Sequence, residues 1–156
     1  LSETLVKSAL SGFLPNGLKY IFQPGNSEPV ICLQLYIKIG SAWEEEDEAG
    51  FSHFLEHLTF KSTDKFPFNQ ITAYICNFGG SINAYTDFDC TCYYISLPSE
   101  FVKEGLQVLA ELAFHSTFIE EDVELEKDII LEEMVQNTLD PETNFLQLVQ
   151  YNAFTN

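Results

Sequence analysis

The stretch AGFSHFLEHLTFK, residues 49–61, places His53, Glu56 and His57 among Phe51, Phe54, Leu55, Leu58 and Phe60. The whole chain has only three histidines, and two of them lie here, four residues apart. The pattern predicts a helix over about Glu48–Lys61. On a helix His53 and His57 project from one face, a turn apart, and Glu56 borders the same point in space. Polar groups on a helix that otherwise wants burial are costly unless each finds a partner. Either they form a satisfied buried cluster, or they converge on something that binds them. Two imidazoles at i and i+4 can hold one metal ion. A carboxylate beside a metal-held water is the general base that peptide hydrolysis needs.

A zinc site of this kind wants a third protein ligand and an open position. VELEKDIILEEMVQN, residues 123–137, offers Glu124, Glu126, Glu132 and Glu133. Glu126 and Glu133 are two turns apart and share a helix face. Ile129, Ile130 and Met134 lie near that face, which reads as an apolar seam. Carboxylates on a packing face need a partner, and a metal site provides one.

The surrounding segments predict the frame. FLPNGLKYIFQPGN reads as strand, turn, strand, with Asn16-Gly17 at the turn. VICLQLYIKIGSAW predicts a longer strand with Ile31, Leu33, Leu35, Ile37 and Ile39 on one face. A second helix starts near Asn69 and stops at Gly79-Gly80. SINAYTDFDCTCYYISLP predicts a hairpin broken at Thr86–Asp89. Pro98-Ser99 precedes a third helix with Phe101, Leu106, Leu109 and Leu112 on its apolar side. A fourth helix is expected over about Glu120–Leu139. Asp140-Pro141 interrupts it, and a last helix runs on to Asn156. Adjacent strands and blocks of helices predict an α+β fold, an antiparallel-rich sheet with helices packed on one face.

Composition bounds the function. The 156 residues suit one domain, and 46% hydrophobic content supplies a core. Seven lysines and no arginines stand against 24 acidic residues, for a net charge of −17. Such a field repels nucleic acid and anionic membranes and suits basic partners. No stretch has the length and apolarity of a membrane span. The opening LSETLVKSAL lacks the basic start and apolar stretch of a signal peptide. Cys32, Cys76, Cys90 and Cys92 match no zinc-finger spacing and read as small, mostly buried residues. The run Glu44–Glu48 reads as a solvated acidic loop, with Trp43 a packing anchor beside it. His115 reads as structural, near a helix C-terminus.

H-x-x-E-H is the reverse of the commoner H-E-x-x-H order. Together with LPNGLKYIFQP, IGSAWEEEDEAGFSHFLEHLTFKST, GGSINAYTDFDCTCYYISLP and LEKDIILEEMVQN, it resembles the pitrilysin/insulysin/mitochondrial-processing-peptidase family of inverted zincins. The resemblance covers nearly the whole chain. It implies a processing-peptidase-like metallohydrolase fold and one Zn2+ per chain, held by His53, His57 and Glu133. The family's third ligand lies some 75 residues beyond the second histidine, and 75 residues separate His57 from Glu133 here. It implies catalytic machinery of Glu56 as base and Glu126 as a supporting carboxylate. It also implies that a peptide substrate adds as an extra strand along an exposed edge, at Asn83, Ala84 and Tyr85.

Two departures stand out. Family chains are much longer, and Ala42 stands where many carry arginine. Residues 1–156 therefore read as a single zinc-binding peptidase domain, an N-terminal fragment that lacks C-terminal domains or a partner chain. The expected activity is that of a zinc metalloendopeptidase acting on oligopeptides or small unfolded proteins. The alternative is a zinc-binding but non-catalytic subunit or fragment that needs a partner domain.

Overall fold

The computed structural model describes residues 8–25 and 28–154. The opening residues 1–7 and the expected end of the last helix at Asn156 lie outside the described residues. The chain divides into two compact units, Leu1–Val30 and Ile31–Asn156.

In the first unit, β1 (Leu10–Phe13) pairs antiparallel with β2 (Lys19–Phe22), with Leu10 opposite Phe22. The turn falls where Asn16-Gly17 predicts it. Gly17 has φ +87°, a region that glycine enters at little cost. Asn16 Oδ1 accepts the Leu18 amide at 3.1 Å.

The second unit is built on β3 (Val30–Ile37), β4 (Ser81–Thr86) and β5 (Thr91–Pro98), in the order β3-β5-β4. The β4–β5 hairpin is antiparallel, with Ser81 opposite Ser96 and Thr86 opposite Thr91. Its loop closes through the Asp87 amide to Cys90 O at 2.9 Å. The central strand β5 buries Tyr93, Ile95 and Leu97, and Ile31, Leu33, Leu35, Ile37, Ile82 and Ala84 pack beside them. This alternation is what one face of a sheet requires.

The described residues also form five α-helices: α1 (Phe51–Thr59) and α2 (Gln70–Asn77) between β3 and β4, then α3 (Val102–Phe114), α4 (Glu120–Leu139) and α5 (Pro141–Phe154) after β5. α1 and α2 pack on β4, α3 packs on β5, and α4 lies along α1. The fold is α+β, as the sequence indicates.

Several sequence expectations are corrected. β3 ends at Ile37, so Ile39 misses the core and is exposed. Gly40 explains the early end. A Cβ there would lie 2.1 Å from Asp87 O, because the chain turns to lie against the hairpin loop. α3 buries Gly105, Val108, Leu109 and Leu112, which leaves Leu106 exposed. That set has i, i+3, i+4, i+7 spacing, and Gly105 lets the helix approach Leu33 and Leu97. Of the cysteines only Cys92 is buried; Cys32 and Cys76 are exposed, and Cys90 is intermediate. Cys32 lies on the outward side of β3's alternation. Trp43 is 67% exposed and anchors no packing. No apolar seam is buried along α4, whose Ile129 and Met134 are exposed. Its apolar side chains are spread around the helix, and Glu126 is its one buried residue among those described.

Candidate metal centre

α1 begins at Gly50, which has φ +93° and supplies no capping side chain. The open amides at the helix start are met from outside. Glu44 Oε2 accepts the Gly50 amide at 2.7 Å, and Glu44 Oε1 accepts the Ser52 amide at 2.6 Å. A carboxylate here also meets the positive end of the helix dipole. Burial pushes the Glu44 carboxyl up, but the bonds from Ser52 and Gly50 outweigh it and hold it below its ordinary value. Glu44 is thus not merely part of a solvated loop. The expected helix start at Glu48 moves to Phe51, after a short 3-10 turn over Glu46–Glu48.

His53 and His57 stand one turn apart, their rings edge to face with centroids 4.6 Å apart. The two Nε2 atoms are 3.1 Å from each other. From α4, Glu133 brings Oε1 to 3.9 Å from His53 Nε2 and Oε2 to 3.7 Å from His57 Nε2. One ligand atom from each of the three residues falls within 4.8 Å of the others. Four-coordinate zinc, with bonds of about 2.0–2.2 Å, needs ligand atoms roughly 3.3–3.6 Å apart. The observed separations bracket that distance. Two imidazole nitrogens and a carboxylate oxygen are also donors that zinc accepts. The residues therefore fit a zinc ion.

His57 Nδ1 lies 2.8 Å from Glu126 Oε1. Glu126 is 3% exposed, and its Oε2 forms an ion pair with Lys61. Burial raises its pKa, yet the hydrogen bonds from Lys61 and His57 prevail and hold it low. Glu126 therefore touches a histidine and a lysine. An Nδ1 proton given to Glu126 leaves the His57 Nε2 lone pair facing His53 and Glu133.

Glu56, on the same helix, is 8% exposed. Its Oε2 accepts the Thr86 hydroxyl at 2.5 Å. Thr86 is the last residue of β4 and is itself near Thr91 Oγ1, which donates to Ile39 O at 3.0 Å. An open depression of about 290 Å³ is lined by Glu56, His57, Lys61, Asn69, Asn83 and Glu126, among others.

β4 lies at one edge of its sheet. Asn83 and Tyr85 are exposed on its outward side, and Ala84 packs toward the core. Asn83 Oδ1 accepts the Ala84 amide at 2.9 Å. The Tyr85 hydroxyl meets Tyr36 at 3.5 Å, and that bond raises the phenol's pKa. His115 caps α3 and faces Asp64, apart from these residues.

Sequence reasoning missed Glu44, Lys61 and Thr86. Thr86 carried a signal, since it continues the inward Ile82–Ala84 alternation as a hydroxyl on an apolar face. Lys61 carried a weaker one, one helical turn beyond His57.

The family described as Insulinase (Peptidase family M16) matches residues 21–156. The chain belongs to the insulinase family. Within it, the chain is 34% identical over 119 residues to the uncharacterized zinc protease YmxG of Bacillus subtilis, covering 76% of this chain and 29% of that protein. It is 36% identical over 121 residues to the probable mitochondrial-processing peptidase subunit beta of Arabidopsis thaliana, covering 78% and 23%. The crystal structure of the first half of the periplasmic protease PqqL from Escherichia coli superposes with a TM-score of 0.82 at 30% identity, covering 91% of this chain and 32% of that one. The chain thus spans roughly a quarter to a third of the length of these insulinase-family relatives. No helix among the described residues is long and apolar enough to cross a membrane.

Proposed function

We propose that this chain is the zinc-bearing part of a metalloendopeptidase that hydrolyses peptide bonds in oligopeptides or small unfolded proteins. The observation that carries the reading is the convergence of His53, His57 and Glu133, with ligand atoms within 4.8 Å of one another, while Glu56 lines the same depression as His57. His53, His57 and Glu133 would hold one Zn2+ per chain. Bound zinc supplies a Lewis acid for the scissile carbonyl and lowers the pKa of water. Glu56 takes a proton from the attacking water and returns it to the leaving amine. The Thr86 hydroxyl holds one Glu56 oxygen in place during that exchange. Glu126 acts through His57, keeping its Nε2 lone pair turned toward the metal position.

A peptide would add along the free edge of β4, past Asn83, Ala84 and Tyr85, through main-chain hydrogen bonds. Only a flexible segment can present itself as a strand, which favours unfolded substrates. The acidic surface, at net −17, would favour basic segments.

The site's openness favours a second reading. The side chains of His53 and Glu133 are 37% and 40% exposed, so water enters freely. In that reading the chain binds zinc but cleaves nothing until further domains or a partner chain close over the substrate.

Elemental analysis after dialysis tests the first step. About one zinc per chain is expected, with zinc lost in Glu133→Ala and kept in Glu56→Gln. A wild-type chain that takes up no zinc on titration refutes the proposal. Cleavage of an unstructured peptide by wild type and not by Glu56→Gln separates the two readings.

A further inference from the structure

Lys61 stands out once the ligands are assigned. A lysine next to a cation site works against it, because like charges repel. Yet Lys61 lies just past the end of α1 and lines the same depression as Glu56 and His57. Its side chain is only 16% exposed, and its ammonium is spent on Glu126 Oε2. Taking an ammonium out of water costs several kcal/mol unless a close partner offsets it, so a solubilising role does not explain the placement. The partner it finds is the carboxylate whose other oxygen holds His57 Nδ1 at 2.8 Å. The backbone of Lys61 is also pinned: its amide donates to Leu58 O at 3.1 Å, and its carbonyl accepts the Asn69 amide at 2.6 Å.

We propose that Lys61 is a positioning residue for the metal centre, fixing the Glu126 carboxylate so that it orients His57 as a ligand. The inference rests on the zinc reading given above. A carboxylate held at one oxygen can swing about its side chain. Held at both, by Lys61 and by His57, it has one orientation. His57 is then locked in the tautomer with its proton on Nδ1 and its lone pair on Nε2. Lys61 thus acts two contacts away from His57, without touching the metal position.

Charge and positioning predict opposite signs, which makes the idea testable on the chain as it stands. If Lys61 were only a nearby positive charge, Lys61→Met would bind Zn2+ more tightly. As a positioning residue, its loss weakens Zn2+ binding, by roughly 10-fold, the low end for losing a direct partner of a metal ligand, because Lys61 acts through Glu126. The experiment is competition for Zn2+ against a chromophoric chelator, using wild type, Lys61→Met, Lys61→Arg and the exposed control Lys103→Met. The expected result is weaker binding in Lys61→Met, most of it restored in Lys61→Arg, and no change in Lys103→Met. Equal or tighter binding by Lys61→Met, with wild type binding normally, overturns the role of Lys61 alone. A wild type that binds no Zn2+ overturns the metal reading and this inference with it. If Lys61→Met does not fold, the wild-type chain still decides. Nitrogen-15 spectra of the metal-free protein should give slowly exchanging Lys61 ammonium protons and a His57 ring protonated at Nδ1. A freely exchanging Lys61 or an Nε2-protonated His57 overturns the proposal.

Discussion

Glu126→Leu is expected both to destabilise the fold and to weaken zinc binding, and adding Lys61→Met should undo only the first effect. Glu126 is 3% exposed and holds Lys61 on one oxygen and His57 on the other. Its removal leaves the Lys61 ammonium, on a side chain 16% exposed, without a counter-charge. Breaking a buried pair by deleting one partner costs about 3–5 kcal/mol. Lys61 lines an open depression, however, and its stem can bend the charge toward water. That relief brings the loss to the bottom of the range or just below it, about 2–3 kcal/mol. Replacing both members of such a pair by apolar side chains is often neutral, so the double variant should unfold within about 1 kcal/mol of wild type. Zinc behaves differently. His57 has lost its Nδ1 partner in both variants, so both should bind zinc roughly 10–100-fold more weakly. Urea unfolding of the metal-free chain, followed by circular dichroism, reads the first quantity, and chelator competition reads the second. A double variant as unstable as Glu126→Leu alone would refute the argument that the orphaned ammonium causes the loss. Unchanged zinc affinity in Glu126→Leu would refute the role given to the His57 contact.

Glu44→Ala should cost about 0.5–1 kcal/mol at neutral pH, as loss of a cap at an exposed helix start does. Because the folded Glu44 carboxyl lies below its ordinary 4.5, its contribution is present above that value and fades as pH falls through the folded pKa. Wild type and variant should therefore converge in urea unfolding at acid pH, and a gap that widened there would contradict the sign. Thr86→Val removes the hydroxyl bonded to Glu56, so kcat should fall with KM little changed, and Thr86→Ser should recover it. A pure KM effect would place Thr86 in substrate binding instead. Gly40→Ala would push a Cβ to 2.1 Å from Asp87 O and 2.7 Å from Phe88 O. Backbone cannot yield cheaply, so thermal unfolding should drop by the equivalent of about 1–3 kcal/mol or more; an unchanged melting temperature would mean this segment does not lie against the hairpin loop. If the acidic surface draws substrate, basic peptides should be cut faster at low salt than at high salt, and equal rates would remove that idea.

What was legible in the sequence was local. The helical spacing of His53, Glu56 and His57, the Asn16-Gly17 turn and the hairpin around Asp87 follow from periods and turn chemistry within a few residues. Glu133 was one of four carboxylates by spacing alone, and resemblance singled it out; its ligand atom lies within 4.8 Å of those of both histidines. Two of the errors arose where a period was extended past the point at which tertiary contact ends it. Ile39 fits the alternation of β3, but the Gly40 approach to the hairpin stops the strand first. Leu106 fits a helical pattern, but the sheet accepts the neighbouring Gly105 face because a residue without a side chain lets α3 come closer.

The contacts that hold α1 in place were the least legible, because they come from outside the helix and two of them, Thr86 and Glu126, from far along the chain. Glu44 holds its first amides, Thr86 holds Glu56 near its middle, and Glu126 with Lys61 holds its end. The separations from partner to partner are 6 and 8 residues, 30, and 69 for Glu126 to His57. No periodicity spans gaps of 30 or 69 residues, so the motif names the chemistry while the tertiary fold sets its geometry. One of these contacts has a direct functional reading. Thr86 ends the edge strand proposed to receive the peptide, and its hydroxyl is bonded to the proposed base. A shift of β4 on strand addition would therefore be felt at Glu56 through a single 2.5 Å hydrogen bond.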